Sequence, residues 1–260
     1  MRHKSYLLDM TWREFEEAIT PQTVVVIPLG SAELEGTHLP VGVDTIAAQG
    51  LAARLTGLEG VIIGPSIPVG YSKWFLAYPG TISLEQETMI HLLTDYGASL
   101  VRHGVERLVF LNAHKGNNAA VETAARTLMD AHKVKVGMLS LWKLAGQLTA
   151  GTDLVAEGGF KHGGEIMTSL MLALKPDSVV RDQIKPDAVK QTEGTGFGIK
   201  NSLGDAEFQG AVQTVYRDIR QVTDTGIMGD PSAASAQRGE AILERLAAYA
   251  RDYLAEFQAL

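Results

Sequence analysis

The sequence predicts an α/β fold with a largely parallel central sheet covered by helices on both faces. Short apolar, β-branched runs alternate with longer stretches of helical periodicity, the order expected of repeated strand–helix units. The first of these runs is apolar throughout, as strands buried on both faces are. Residues 24–29 (Val-Val-Val-Ile-Pro-Leu) form the first such strand, and a helix is expected over 45–55. A second strand, 60–64, is bracketed by glycines, and a long helix follows over 84–103. Residues 107–112 (Arg-Leu-Val-Phe-Leu-Asn) read as a third strand. Gly116 then allows a tight turn, and Asn117 is a good cap for a helix over 117–131. A fourth strand is expected over 134–141, ending near Trp142, and a strongly apolar helix over 164–174. Residues 176–230 are the least periodic, rich in Gly and Thr, and read as loops with short strands. The last helix, 233–257, spaces Ile242, Leu246, Tyr249, Tyr253 and Phe257 by three and four residues, which marks them as core. Residues 1–260 are expected to form one domain.

Composition narrows the function. With 45% hydrophobic and 20% charged residues over 260 positions, the chain resembles an ordinary soluble globule with enough apolar surface for a large core. A net charge of −7 argues against nucleic acid or an anionic membrane as the main partner. The lack of cysteine excludes disulfides, a thiolate nucleophile and a cysteine zinc site. Residues 1–9 carry Arg2, His3 and Lys4 without the apolar stretch of a signal peptide. No run approaches the roughly 18–20 apolar residues of a membrane span. A cytoplasmic protein acting on a small molecule is expected. Gly-x-Ser-x-Gly, P-loop and His-Glu-x-x-His motifs are absent. No buried strand precedes Gly194-Thr195-Gly196-Phe197-Gly198, so that stretch is a poor dinucleotide loop. His91, His103 and His132 fall in helical segments and read as surface or packing residues; His3 is terminal.

The chemistry concentrates in three clusters. Gly30-Ser31-Ala32-Glu33-Leu34-Glu35-Gly36-Thr37-His38-Leu39-Pro40, with Asp44 beyond it, follows the first strand. Burying that much negative charge is costly unless a positive group compensates it, and a divalent metal does so directly. Asn112-Ala113-His114-Lys115-Gly116-Asn117 follows the third strand, and ligands of parallel sheets sit at the carboxyl ends of strands. His162-Gly163-Gly164-Glu165 opens the apolar helix. Each residue also has an ordinary role: Asp44 as a helix cap, Glu165 as a first-turn acid, Asn112 and Asn117 as turn formers. Those roles fit the residues singly better than they fit three clusters together. Glu33 and Glu35, two apart in extended chain, point to one side. With Asp44 and His114 they make an oxygen-rich set suited to Zn, Mn or Fe in an open catalytic site. A bridging carboxylate would allow two ions, and His162 would then serve as general acid or base.

These residues resemble the creatininase (creatinine amidohydrolase) family. The resemblance rests on Pro-x-Gly-Ser-x-Glu-x-x-Gly-x-His-Leu-Pro-x-x-x-Asp, on Pro79-Gly80-Thr81-Ile82-Ser83-Leu84 and on Asn112-Ala113-His114-x-Gly-Asn117. His162-Gly163-Gly164-Glu165 with Thr168-Ser169, and Gly226-x-x-Gly229-Asp230-Pro231, extend it over nearly the whole chain. It implies a three-layer α/β/α sandwich, a metal-dependent hydrolase of C–N bonds in cyclic amides or formamides, and a homohexamer. It implies Glu33, Asp44 and His114 as ligands of one or two divalent ions, with Asp44 bridging, and His162 as the catalytic histidine. His38 and Glu165 are further catalytic candidates.

Departures from the family pattern are informative. Glu35 stands where a histidine is usual, which is expected to shift metal preference from zinc toward manganese, iron or magnesium, or to cost a second ion. Gly116 stands where creatininase supplies a glutamate ligand, which argues against creatinine as substrate and leaves Glu165 as a candidate to take over that role. Lys115 replaces a usual glycine, either as a solvated loop lysine or as a cation at the site mouth that favours an anionic or polyhydroxylated substrate. Met167 stands where a glutamate is common. Trp74 and Trp142 are candidates for lining a substrate pocket or for packing in the core. The expected reaction is attack of a metal-bound hydroxide on a carbonyl carbon. Hydrolysis of a C–C bond or lactone in an oxidised cyclic polyol, or a catalytically weak metal- or metabolite-binding homologue, are the alternatives.

Overall fold

The computed structural model describes residues 4–156, 160–201 and 204–260; His3 lies outside them. A short first helix, α1 (Trp12–Ala18), was not anticipated. It is started by a capping box in which the Thr11 side chain accepts from the Glu14 backbone while Glu14 reaches back to the Thr11 N–H. Strand β1 (Val24–Leu29) follows, then α2 (Val43–Ala53), β2 (Val61–Ile63) and α3 (Gln86–Arg102). Next come β3 (Arg107–Asn112), α4 (Asn118–His132) and β4 (Lys135–Ser140). The strands form one parallel sheet in the order β2-β1-β3-β4.

The uniformly apolar central strands are explained by what they face. Val24, Val26, Val61, Ile63, Val109 and Leu111 belong to one buried cluster, while Val25, Ile27, Leu29, Ile62, Leu108 and Phe110 belong to another. Alternate residues of each strand therefore enter opposite cores. The second core is closed by α3 and α4, and Phe15 of α1 packs against it. The first is closed by α2 and by three later helices, α5 (Leu141–Thr149), α6 (Glu165–Leu174) and α7 (Ala236–Ala259). The result is the three-layer α/β/α sandwich. Pro28 is tolerated in a central strand because its carbonyl accepts from Ile67 N, on the side where β2 has already ended. Its missing N–H faces that same side and removes no ladder bond.

Several expectations are corrected. The fourth strand stops at Ser140 and α5 begins at once, so Trp142 lies in the first turn of a helix rather than at a strand end. The helical spacing of Leu141, Leu144, Ala145 and Leu148 carries α5, which the reading of the sequence missed. Helix α2 starts two residues earlier than expected: Gly42 is its N-cap and Asp44 is inside its first turn. In α7 the buried stripe runs through Ile242, Leu243, Leu246, Ala247, Ala250, Leu254 and Phe257, leaving Tyr249 exposed and Tyr253 half-buried. Helices α6 and α7 pack so closely that a Cβ on Gly239 would stand 1.9 Å from the Ser169 carbonyl oxygen. Residues 176–230 contain a small antiparallel sheet, β5 (Gly198–Ile199), β6 (Asp205–Phe208) and β7 (Ala211–Thr214). Among the described residues no helix is long and apolar enough to cross a membrane.

Candidate metal centre

The sheet brings the three polar segments together. Leu29, Asn112 and Ser140 lie side by side at the carboxyl edge of β1, β3 and β4. Each strand releases its chain there: residues 31–44 after β1, the turn at 113–118 after β3, and α5 after β4. The connection from β1 runs to α2 on one face and that from β3 to α4 on the other. Between them opens the crevice in which ligands of such sheets sit. A cavity of about 690 Å³ occupies it, with Glu33, Glu35, Asp44, His114 and His162 among its walls.

Asp44 is firmly held. Its Oδ2 accepts from Ser31 Oγ at 2.9 Å and lies 2.9 Å from His114 Nδ1, while its Oδ1 accepts from Trp142 Nε1 at 2.7 Å. Its place in the first turn of α2 adds the favourable end of the helix dipole. His114 is oriented from the other side. Its Nε2 lies 2.9 Å from the Tyr71 carbonyl oxygen, which can only accept, so Nε2 carries hydrogen and Nδ1 faces the acids. Glu33 Oε1 is 3.5 Å from that same Nδ1. Burial opposes protonation of His114, but the Glu33 and Asp44 carboxylates outweigh it and push its pKa up to about 9. The turn beneath is braced by Asn117, whose Oδ1 accepts from Tyr71 N and whose Nδ2 donates to the Gly30 carbonyl. Asn117 thus precedes α4 without capping it through its side chain.

Glu35 and His162 form the other half. Glu35 is 1% exposed, and neither of its carboxylate oxygens has a hydrogen-bond partner; Glu33 Oε2 is likewise unpartnered. Burial, reinforced by Asp44 and Glu33, drives the Glu35 pKa well above the ordinary carboxylate range. Burial also raises Glu33 to about 7, helped by Asp44 and opposed by His114. His162 is stacked on Phe75 with ring centroids 4.8 Å apart, and burial lowers its pKa to about 4. Its Nε2 lies 2.8 Å from the Leu34 carbonyl and 3.4 Å from Glu35 Oε2. With both side chains held neutral, that approach is not an ion pair.

Two groups of donor atoms result, Glu33–Asp44–His114 and Glu33–Glu35–His162, each converging within 4.8 Å. Glu33, rather than Asp44, is common to both. Orphaned carboxylate oxygens that converge in a buried pocket are the arrangement a divalent cation satisfies. Zn, Mn or Fe suits the oxygen-rich donor set with one imidazole. Gly116 adds no ligand and has no room for one: a Cβ there would lie 2.2 Å from the Tyr71 carbonyl oxygen and 2.4 Å from His114 Nε2.

The remaining candidates separate clearly. Glu165 does not line the cavity; it is ion-paired with Arg238 of α7 and accepts from Ala156 N at 2.7 Å. The structure thus directs Glu165 away from the ligand set expected of it. His38 is fully buried behind the site, with Nε2 2.8 Å from Thr168 Oγ1, and does not reach the cavity where a catalytic group would act. Trp74, Trp142 and Lys115 do line it, Trp74 stacking on His114 at 6.2 Å and Trp142 on Phe160 at 5.3 Å. Sequence reasoning missed Phe75, Phe160 and Lys143, and gave Lys161, which opens the third cluster, no role. The two aromatics carried no distinguishing signal, and Lys143 needed recognition of α5. The Pro79–Leu84 motif straps the acidic segment: Ile82 N donates to the Ala32 carbonyl and Thr81 Oγ1 accepts from Leu34 N. The Gly226–Pro231 motif holds the third cluster, Met228 N donating to the His162 carbonyl at 2.9 Å.

The chain is similar in sequence and fold to known proteins. The family model described as Creatininase: Creatinine amidohydrolase matches residues 8–254. A creatinine amidohydrolase of Pseudomonas putida is 30% identical over 200 residues, covering 71% of this chain and 77% of its own. A mycofactocin precursor peptide peptidase of Mycobacterium tuberculosis is 31% identical over 84% of this chain and 79% of its own. A 3-dehydro-scyllo-inosose hydrolase of Thermotoga maritima is 26% identical over 98% of this chain and 85% of its own. A solved manganese creatininase superposes with a TM-score of 0.75 at 27% identity, covering 97% of this chain and 98% of that one. A creatininase variant of Zn–Zn type gives 0.74 at 26%, with the same coverage.

Proposed function

The chain belongs to the creatininase family, and from that membership and its buried acids we propose a metal-dependent hydrolase acting on a carbonyl of a cyclic amide, formamide or related small molecule. The observation that carries the proposal is the convergence of Glu33 and Asp44 with His114, and of Glu33 and Glu35 with His162, with three carboxylate oxygens unpartnered. Glu33, Asp44 and His114 Nδ1 would hold the ion, with Glu35 adjoining. A divalent ion there supplies Lewis acidity toward both the carbonyl and the attacking water. Ser31 and Trp142 fix the Asp44 carboxylate, and the Tyr71 carbonyl keeps His114 turned toward it. His162 is suited to move the proton. Its Nε2–H is committed to Leu34, so Nδ1 carries the lone pair, and the ring is neutral at pH 7. Creatinine is disfavoured as substrate because Gly116 leaves no space for the acid that the family's namesake supplies there.

A second reading is hydrolysis of a C–C bond or lactone in an oxidised cyclic polyol. The inosose hydrolase, aligned over nearly the whole chain, favours it. The test combines metal analysis of the purified protein with assays of cyclic amides, formamides, lactones and keto-inositols under Mn²⁺, Zn²⁺ and Fe²⁺. Bound metal and turnover of one class are expected. A protein that holds no divalent ion, and gains none from Mn²⁺ or Zn²⁺, overturns the metalloenzyme reading. Bound metal without turnover leaves a metabolite-binding homologue.

A further inference from the structure

The mouth of the cavity has a charge pattern that hydrolysis alone does not require. Among the described lining residues the only acids are Glu33, Glu35 and Asp44, all buried at the floor. The charged groups above them are Lys115, Lys143, Lys161 and Lys200, all exposed. Acids outnumber bases 30 to 23 in this chain, so a rim of four lysines and no acid departs from its average surface. Lys200 is paired with Glu207 at 2.8 Å. Lys115, Lys143 and Lys161 have no ion-pair partner among the described residues. They come from the turn after β3, from α5, and from the segment before α6, so only the tertiary fold assembles them. Lys143 of α5 lines the cavity together with Gly146 and Gln147 of the same helix and Ala150 just beyond it. Much of the remaining lining is apolar, contributed by Trp74, Phe75, Trp142, Phe160, Met167 and Met228.

Unpaired lysines at the entrance of a low-dielectric cleft raise the local concentration of anions and favour a ligand that presents its charge outward. We propose that the substrate carries an anionic group, a carboxylate or phosphate, received by Lys115, Lys143 and Lys161 while its scissile carbonyl reaches the acidic floor. This rests on the hydrolase reading above and narrows its substrate class.

The test uses the metal-loaded protein and matched pairs of amides or formamides. One member bears a carboxylate or a phosphate ester and the other a neutral amide or hydroxyl at the same position. Each pair is assayed for kcat and KM and titrated calorimetrically in low and high salt. The anionic member is expected to be favoured at least tenfold in kcat/KM, about 1.4 kcal/mol, chiefly through KM. That preference should shrink with salt, because the lysines are exposed. The K115Q/K143Q/K161Q variant should bring the two members within about twofold. Whether the carboxylate or the phosphate pair shows the larger ratio identifies the anion. Equal values for both members at low salt overturn the proposal. So does a preference that survives the triple variant, which would assign anion attraction to the metal. If the variant does not fold, the salt dependence of the unmodified protein decides alone. If no pair is hydrolysed, the hydrolase reading fails, and the titrations still decide whether the rim receives anions.

Discussion

Asp44 and Glu35 lie in the same floor and are both almost fully buried, yet Asp44 has three donors around its two oxygens and Glu35 has none. Asp44 belongs to a half that is organised without an ion: serine, tryptophan and imidazole hold it, and a backbone carbonyl holds the imidazole. Glu35 belongs to a half that is satisfied only by a proton or a cation. A third buried acid, Glu165, shows a further solution, since Arg238 and a backbone N–H compensate it within the fold. Burial alone therefore does not mark a ligand; burial with unmet acceptors does.

The sharpest way to break this contrast is Asp44→Ala. It should abolish activity and tight ion binding, measured by elemental analysis; a variant that keeps both would remove Asp44 from the metal site. Arg238→Met leaves Glu165 buried without its cation and should lower stability by about 3 kcal/mol in urea titration. Metal content should remain unchanged, whereas a loss of bound metal in the folded variant would return Glu165 to the ligand set. Trp142→Phe removes one donor from Asp44 and should cost about 10- to 100-fold in metal affinity or activity. An effect below twofold would show that Ser31 and His114 suffice. Glu35→His should shift metal preference toward zinc in competition with manganese. An unchanged profile would place Glu35 outside the coordination sphere.

The smallest expected effect is on pH dependence. In ion-free protein His114 titrates near 9 against an ordinary 6.5, because Glu33 and Asp44 flank it. The folded state then holds a proton that the unfolded chain releases, so this stabilisation is complete below pH 6.5 and disappears as pH rises through 9. Glu33, raised to about 7, pulls in the same direction between pH 4.5 and 7. Melting curves of metal-stripped protein should therefore fall in Tm between pH 6.5 and 9.5, a fall that His114→Gln makes shallower. Identical slopes in the two proteins would refute the assignment. Binding of the ion should release protons in the same window.

The chain order of residues determined much of this by itself. The uninterrupted apolar runs at 24–29 and 108–111 identify central strands, because two-sided burial favours such sequences. Polar segments that follow strand ends were bound to gather at one edge of a parallel sheet, which is why the Glu33–Asp44 and His114 segments were legible as one site. Other features required the fold. The shift of α2 by two residues turned Asp44 from a cap into a buried, triply held acid. The run-on of β4 into α5 placed Trp142 on Asp44 and Lys143 at the mouth. Glu165 and Glu35 are the same residue type and both almost fully buried, and what separates them is the arrival at Glu165 of Arg238 from α7 and of the Ala156 N–H. A carboxylate's role is set by which donors reach it through space, and that distance is a property of the packed structure rather than of neighbours along the chain.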